Sequence, residues 1–276
     1  MAAERSSESA PANWPCRLCG SRNLRLHYTQ GNHGEFRFYR CGGCQLVNYD
    51  LAGGLDQEKY EQAMPDPRDP AAAKNRAQTE TYRFLCRHLR PPGGLLEIGC
   101  GNGRLLHLAQ TDGWTVTGLE LSPALAKSIV RNLDIPVTVA DIHEPGLPAR
   151  LGAGRHDVIV LRHVLEHLPE PNAVMAVFRA LLAEGGHIVL EFPNIDGLGF
   201  ALRRKLEKTG LRRKAWPPGY RPGHCNEYSR ASFRHLAERN GFELLVWETY
   251  SRNPAWNWVV NHWPVGIKAR TLIRKR

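Results

Sequence analysis

Residues 94–103 read Gly-Leu-Leu-Glu-Ile-Gly-Cys-Gly-Asn-Gly, a short apolar run closing on three glycines spaced two apart. Such a run is a buried strand of a parallel sheet, and its glycines let the chain turn sharply into a helix while the backbone approaches a ligand that a Cβ would block. From here on, strand and helix patterns alternate. Strands are expected at 94–98, 114–119, 136–140, 156–161, 187–192 and 241–247. Helices are expected over about 103–112, from the Ser122-Pro123 cap to about 132, over 171–183 with a stop at Glu184-Gly185-Gly186, and from Ser229 to about 240. The expected class is α/β, a Rossmann-like and mostly parallel sheet flanked by helices.

Ahead of this region, four of the seven cysteines form two C-x-x-C pairs, Cys16/Cys19 and Cys41/Cys44, separated by the stretch 20–40. Each pair presents two thiolates, and together they match a tetrahedral zinc ribbon. The gap leaves room for a hairpin around Gly31–Gly34, and Gly20 and Gly42 suit the turns. Four cysteines close the coordination shell, so the zinc is expected to be structural. Cys86, Cys100 and Cys225 read as ordinary thiols.

The expected layout is a disordered tail (1–13), the zinc ribbon (14–50), a linker and helical cap (51–92) and the α/β domain (93–250). A polar, basic insert near 194–228 interrupts that domain, and a basic aromatic extension (251–276) follows it. The cap helix is expected to start at Asp69-Pro70 and to stop at Arg90–Gly94. The stretch 1–15 lacks an apolar segment, and no uncharged apolar run is long enough to cross a bilayer, so a cytoplasmic chain without a membrane-spanning helix is expected. Net charge is +10, yet residues 199–276 alone hold 17 Lys+Arg against 5 Asp+Glu, so the excess lies at the C-terminal end. Arg203–Lys214 and the Trp256–Arg276 tail mix cations with indoles. They are candidate contacts for an anionic surface at the inner membrane, a phosphate-bearing acceptor or nucleic acid, or simply a solvated charged face.

Three acids sit where a ligand would need them. Glu97 lies inside the first strand, Glu120 closes the second about twenty residues on, and Asp141 closes the third. Leu96–Gly103 matches the E-x-G-x-G-x-G motif of the class I S-adenosylmethionine-dependent methyltransferases. Gly118–Pro123 is similar to their second motif, and Ala140-Asp141-Ile142 to their third. The resemblance covers residues 95–192 and implies S-adenosylmethionine as cofactor. It implies Glu97, Gly99, Cys100, Gly101 and Gly103 at the methionine part, Glu120 and Leu121 at the ribose, and Asp141 and Ile142 at the adenine.

The segment after the fourth strand, Arg162-His163-Val-Leu-Glu166-His167-Leu-Pro, resembles that of the branch holding ubiquinone-biosynthesis O-methyltransferases and many sugar methyltransferases. If 163–167 form one helical turn, His163, Glu166 and His167 share a face. In the ubiquinone enzymes the matching positions carry carboxylates and a histidine that can hold a metal, and here His163 replaces the first carboxylate. Methyl transfer to a hydroxyl needs a general base, and His163, His167 and His224 are the candidates, with Glu166 beside them. No [N/D/S]-P-P-[Y/F/W] motif follows the fourth strand, which favours an oxygen or carbon acceptor: a small molecule, a saccharide or a lipid-linked sugar. The rivals are a zinc-ribbon rRNA base methyltransferase, favoured by the basic surface, and a non-catalytic cofactor-binding interaction protein.

Overall fold

The computed structural model describes residues 12–56, 64–209, 211, 214–251, 257, 262–263 and 265–276. The expected disordered tail, apart from residues 12 and 13, lies outside these, as do Arg212, Arg213, Trp256 and Trp258.

Both cysteine turns are built alike. The amides of Gly20 and Gln45 donate to the carbonyls of Cys16 and Cys41 at 2.8 and 3.0 Å, and the amides of Cys16 and Cys41 donate to Ser21 and Leu46 at 2.9 Å each. The left-handed residues are Gly20 and Gln45, each following the second cysteine of its pair, and not Gly42. Between the turns, strands β1 (Leu24–Gln30) and β2 (Phe36–Cys41) form the expected hairpin, and β3 (Val47–Tyr49) pairs with β2. Helix α1 (Ala73–His88) begins later than the expected Asp69-Pro70 start. Asp69 caps the preceding turn instead, its carboxylate accepting from the amide of Ala71 at 2.8 Å.

The alternating region follows as β4 (Gly94–Ile98), α2 (Arg104–Thr111), β5 (Thr115–Glu120), α3 (Pro123–Leu133), β6 (Val137–Val139), α4 (Leu147–Leu151), β7 (His156–Arg162), α5 (Pro171–Leu181) and β8 (Leu182–Pro193). Strand β8 begins earlier than expected and runs through Gly185-Gly186, because α5 already stops at Leu181. Then come α6 (Leu198–Lys208), β9 (Asn226–Glu227), α7 (Arg230–Arg239, capped by Ser229), β10 (Phe242–Tyr250) and β11 (Lys268–Lys275). The main sheet has the order β10-β11-β8-β7-β4-β5-β6. Strands β6, β5, β4, β7 and β8 are parallel; β11 is antiparallel to both its neighbours. The basic extension thus ends as an inner strand of the sheet, which corrects the expectation that the α/β domain closes near residue 250.

Alternate residues of the parallel strands supply two cores. Leu95, Val158, Val160 and Val189 pack with Phe84 and Leu85 of α1, Leu105 and Leu106 of α2 and Ile129 of α3. Leu96, Ile159, Leu161, Ile188 and Leu190 pack on the other face with Phe178 of α5 and Phe233 and Leu236 of α7. Cys16, Leu18, Cys41, Cys44 and Leu46 join that second core, so the N-terminal module sits on the α5–α7 face. It is tied there by sheet pairing: β3 pairs with β9, making a four-stranded sheet β1-β2-β3-β9 that includes the insert. Among the described residues no helix is long and apolar enough to cross a membrane.

Candidate active site

Strand order reverses at β4, with β5 and β6 on one side and β7 and β8 on the other. Ligands of open α/β sheets bind beyond the carboxyl ends of strands at such a point. The glycine loop stands there, with φ of +71°, +57° and +79° at Gly99, Gly101 and Gly103. A Cβ on Gly99 would come within 2.6 Å of Val164, and Gly103 is the left-handed N-cap of α2. Glu120 braces the loop: its Oε2 accepts from the Gly101 amide at 2.8 Å and its Oε1 from the Ser122 amide at 3.1 Å. Asn102 fastens the loop to α1, donating to Asn75 Oδ1 at 2.8 Å and accepting from Gln78 at 3.1 Å.

Two cavities open on this loop. One of about 250 Å³ is lined by Glu97, Gly99, Gly101, Glu120 and Val164, together with Met64, Lys74, Gln78 and Arg162. The other, about 150 Å³, shares Gly99, Glu120 and Val164 and adds Leu121, Asp141, Ile142 and His167. Glu97 is fully enclosed; burial pushes its carboxyl up to about 8, and Oε2 has no hydrogen-bond partner among the described residues. Asp141 stands at the mouth, its carboxylate accepting from the His143 amide at 2.8 Å. Cys100 departs from the expected set, because its side chain is buried in the core beneath the loop.

The histidine segment is not one helical turn. His163 takes a left-handed φ of +53°, and only Leu165–His167 form a 3₁₀ turn. The shared face is therefore lost and Glu166 stands between the rings. His163 Nδ1 lies 3.0 Å from Glu166 Oε1, and His163 Nε2 lies 2.9 Å from Lys268 Nζ and 3.3 Å from Glu191 Oε1. Burial opposes protonation of His163, but the bonds to Glu166 and Glu191 outweigh it and raise its pKa. His167 is set the other way. Burial lowers its pKa, and Nδ1 donates to the Gly223 carbonyl at 2.7 Å, so Nε2 carries the lone pair. The His224 ring meets His167 edge-on at 4.9 Å between centroids, with His224 Nδ1 3.9 Å from Glu227 Oε1. Glu166, His167 and His224 bring one ligand atom each within 4.8 Å of one another, close enough to share a proton or a cation.

Behind this cluster lies a charge network that sequence reading missed. Glu191 is enclosed in β8 and binds Arg162 at 3.2 Å, Arg270 at 3.1 Å and Thr81 at 2.5 Å. A carboxylate in an otherwise apolar strand was the available signal, but of its cations only Arg162 lies in a strand the sequence pattern showed, while Arg270 and Lys268 lie in β11, whose pairing it did not show. In the N-terminal module the four cysteine sulfurs lie within 4.8 Å of one another, with Cys16–Cys44 and Cys19–Cys41 at 3.5 Å. Four thiolates about 2.3 Å from a tetrahedral zinc stand about 3.8 Å apart, so the quartet fits that ion with little movement.

Residues 66–246 match a family described as a methyltransferase domain. The chain belongs to that family. Among curated relatives, the ubiquinone biosynthesis O-methyltransferase of Xanthomonas axonopodis pv. citri is 30% identical over 142 residues, which cover 49% of this chain and 57% of that protein. The chain therefore spans little more than half the length of that relative. Among solved structures, a protein of Pyrococcus horikoshii superposes with a TM-score of 0.57 at 17% identity, covering 80% of this chain and 100% of its own. The magnesium protoporphyrin IX methyltransferase of Synechocystis, solved with bound SAH, superposes at 0.52 and 18% identity, covering 74% of this chain and 84% of its own. Both share the class I methyltransferase fold with this chain. The four cysteines precede the matched segment and β11 follows it, so neither feature carries the family assignment.

Proposed function

We propose that this protein is an S-adenosylmethionine-dependent methyltransferase acting on an oxygen or carbon of a small-molecule, saccharide or lipid-linked acceptor. One observation carries the reading: two cavities sharing Gly99, Glu120 and Val164 run from the glycine loop to His167. In this reading Glu97, Arg162, Lys74 and the loop amides receive the methionine part, with Cys100 contributing backbone alone. Glu120 and Leu121 receive the ribose, and Asp141 and Ile142 the adenine. Bound there, the donor supplies a methyl carbon activated by its sulfonium.

The protein's own work is positioning and proton transfer. His167 Nε2 takes the proton of an acceptor hydroxyl as the oxygen–carbon bond forms. Gly223 O, held against Nδ1–H, fixes the tautomer. Glu166 stabilises the imidazolium that results, and His224, raised by Glu227 and Glu166 against the pull of burial, hydrogen-bonds the acceptor. His163 keeps Glu166 ionised and in place. Cys16, Cys19, Cys41 and Cys44 hold a structural zinc that supplies folding energy to the N-terminal module. A cytoplasmic enzyme with access to acceptors at the inner membrane surface goes with this reading.

The test is incubation with donor labelled in the methyl group against RNA and against the small-molecule and lipid fractions of a lysate. Label is expected in the small-molecule or lipid fraction. Label in RNA alone would overturn the acceptor assignment, and donor binding without label in any fraction would overturn the enzymatic one.

A further inference from the structure

Arg17 sits inside the first cysteine turn, yet its side chain leaves that turn and reaches the insert beside His224. Nη1 donates to the Cys225 carbonyl at 3.0 Å and to Asn226 Oδ1 at 3.4 Å, and Nη2 donates to the Tyr49 carbonyl. The Arg17 backbone is held from two sides. Its amide donates to Asn48 Oδ1 at 3.1 Å, and Asn172 of α5 donates to the Arg17 and Leu18 carbonyls at 3.3 and 2.9 Å. The Trp14 ring covers the guanidinium, with Cζ 5.1 Å from the ring centre. The segment that Arg17 grips is fastened in turn to the Leu165–His167 turn. The Cys225 amide donates to the Glu166 carbonyl at 2.8 Å, its thiol to the His167 carbonyl at 3.1 Å, and Asn226 Nδ2 to the Leu168 carbonyl at 2.7 Å.

Charge acts in the same direction as these bonds. A guanidinium is always protonated, Arg17 is half-buried, and among the described residues its side chain bonds only neutral oxygens. A cation drawn from water is costly without a counter-charge. The cysteine quartet supplies one, because four thiolates around a divalent zinc carry a net charge of about −2. Asn48 links the two: its Nδ2 lies 3.6 Å from Cys16 Sγ, and its Oδ1 holds the Arg17 amide. A loaded quartet therefore favours Arg17 in the position from which it grips Cys225.

Building on the reading in which His224 binds the acceptor, we propose that Arg17 is a positioning residue. It holds the His224–Asn226 backbone against the Leu165–His167 turn and ties the acceptor side of the cleft to the cysteine quartet. The donor side is independent of it: among the described residues Arg17 shares no bond with the glycine loop, Glu97, Glu120 or Asp141. Misplacing a positioned group by about 1 Å costs on the order of 10²-fold in rate, so release of this segment should slow transfer while donor affinity stays.

The test uses the full zinc-loaded chain saturated with S-adenosylhomocysteine (SAH). Imidazole nitrogen–proton correlation spectra are recorded for the wild type, Arg17→Met and Arg17→Lys. His224 is assigned by its loss in His224→Gln, and His107 of α2, on the opposite face of the main sheet, serves as reference. The His224 signal is expected to move or broaden in Arg17→Met and to change less in Arg17→Lys, which keeps a charged donor, with His107 unmoved. Zinc should stay at about one per chain and SAH affinity within twofold of wild type. With labelled donor, transfer into the accepting lysate fraction should fall about tenfold or more in Arg17→Met and less in Arg17→Lys. An unmoved His224 signal in Arg17→Met, equal effects in the two variants, or loss of zinc or SAH binding in both overturns the positioning role. Absence of labelled product with the wild type overturns the acceptor reading instead, and the His224 spectrum still decides the role of Arg17.

Discussion

His167 and His163 stand four residues apart, yet their surroundings shift their pKa values in opposite directions. Burial lowers His167, whose Nδ1 proton goes to a carbonyl; carboxylates on two sides raise His163. A base must be unprotonated, so the rate should fall as pH drops through the lowered pKa of His167. In the kcat/KM profile of the wild type, an acid limb is expected below the ordinary histidine value of about 6.5. His167→Ala should lose about 10²–10⁴ in kcat and remove that limb, with SAH affinity little changed. An unchanged limb would take the role away from His167. Glu97 offers a stability counterpart. Its folded pKa of about 8 exceeds the unfolded value of ~4.3, so its stabilising protonated form is complete below about 4.3 and lost as pH rises through about 8. Glu97→Gln stays neutral throughout. In donor-free melts it should gain a few degrees over wild type at pH 8.5 and nothing at pH 4, while binding SAH more weakly. Glu97 was legible as an anomaly in an apolar strand; its raised pKa was not, because enclosure is a property of the folded cleft.

The cysteine turns and β11 show how a single element reaches the site from elsewhere. Strand β3 follows the second turn directly and pairs with β9, next to His224. Metal analysis should give about one zinc per chain, lost when Cys16 and Cys19 become serine. That variant should also show a lower Tm and a higher acceptor KM, although neither Cys16 nor Cys19 lines either cavity. Strand β11 supplies Arg270 to the enclosed Glu191. Arg270→Ala leaves that carboxylate short of a cation and should cost about 3 kcal/mol in denaturant melts. Arg274→Ala breaks an exposed pair with Glu243 and should cost about 0–1 kcal/mol. Equal costs would contradict the burial argument. The parallel strands were legible because both faces are apolar, as in Val158–Leu161. Strand β11 was not: Lys268-Ala-Arg-Thr-Leu-Ile-Arg-Lys275 reads as a basic tail until Glu191 neutralises Arg270. Strand β9 is two residues long and has no pattern to read. The His163–His167 segment was legible in composition but not in shape, since a left-handed histidine leaves no periodic trace.

At the scale of the whole molecule, the net charge of +10 overstates what the surface offers a polyanion. Lys268, Arg270, Arg274 and Lys275 all face carboxylates, those of Glu191, Glu243 and Glu184. Replacing Arg274 and Lys275 by alanine should therefore leave the salt concentration for elution from heparin nearly unchanged. A large drop would show that these pairs yield to an external anion. Both sheets, moreover, close on strands distant in sequence. Strand β3 ends at Tyr49 but waits for β9 at Asn226, and β8 ends at Pro193 but meets β11 only from Lys268, after β10 has already been made. During synthesis, neither the cysteine module nor the main sheet can be completed as it leaves the ribosome. Each keeps an open strand edge until then, and pairings between strands so distant in sequence raise contact order and slow closure. Its interval of greatest exposure to misassembly comes just before residues 268–275 emerge.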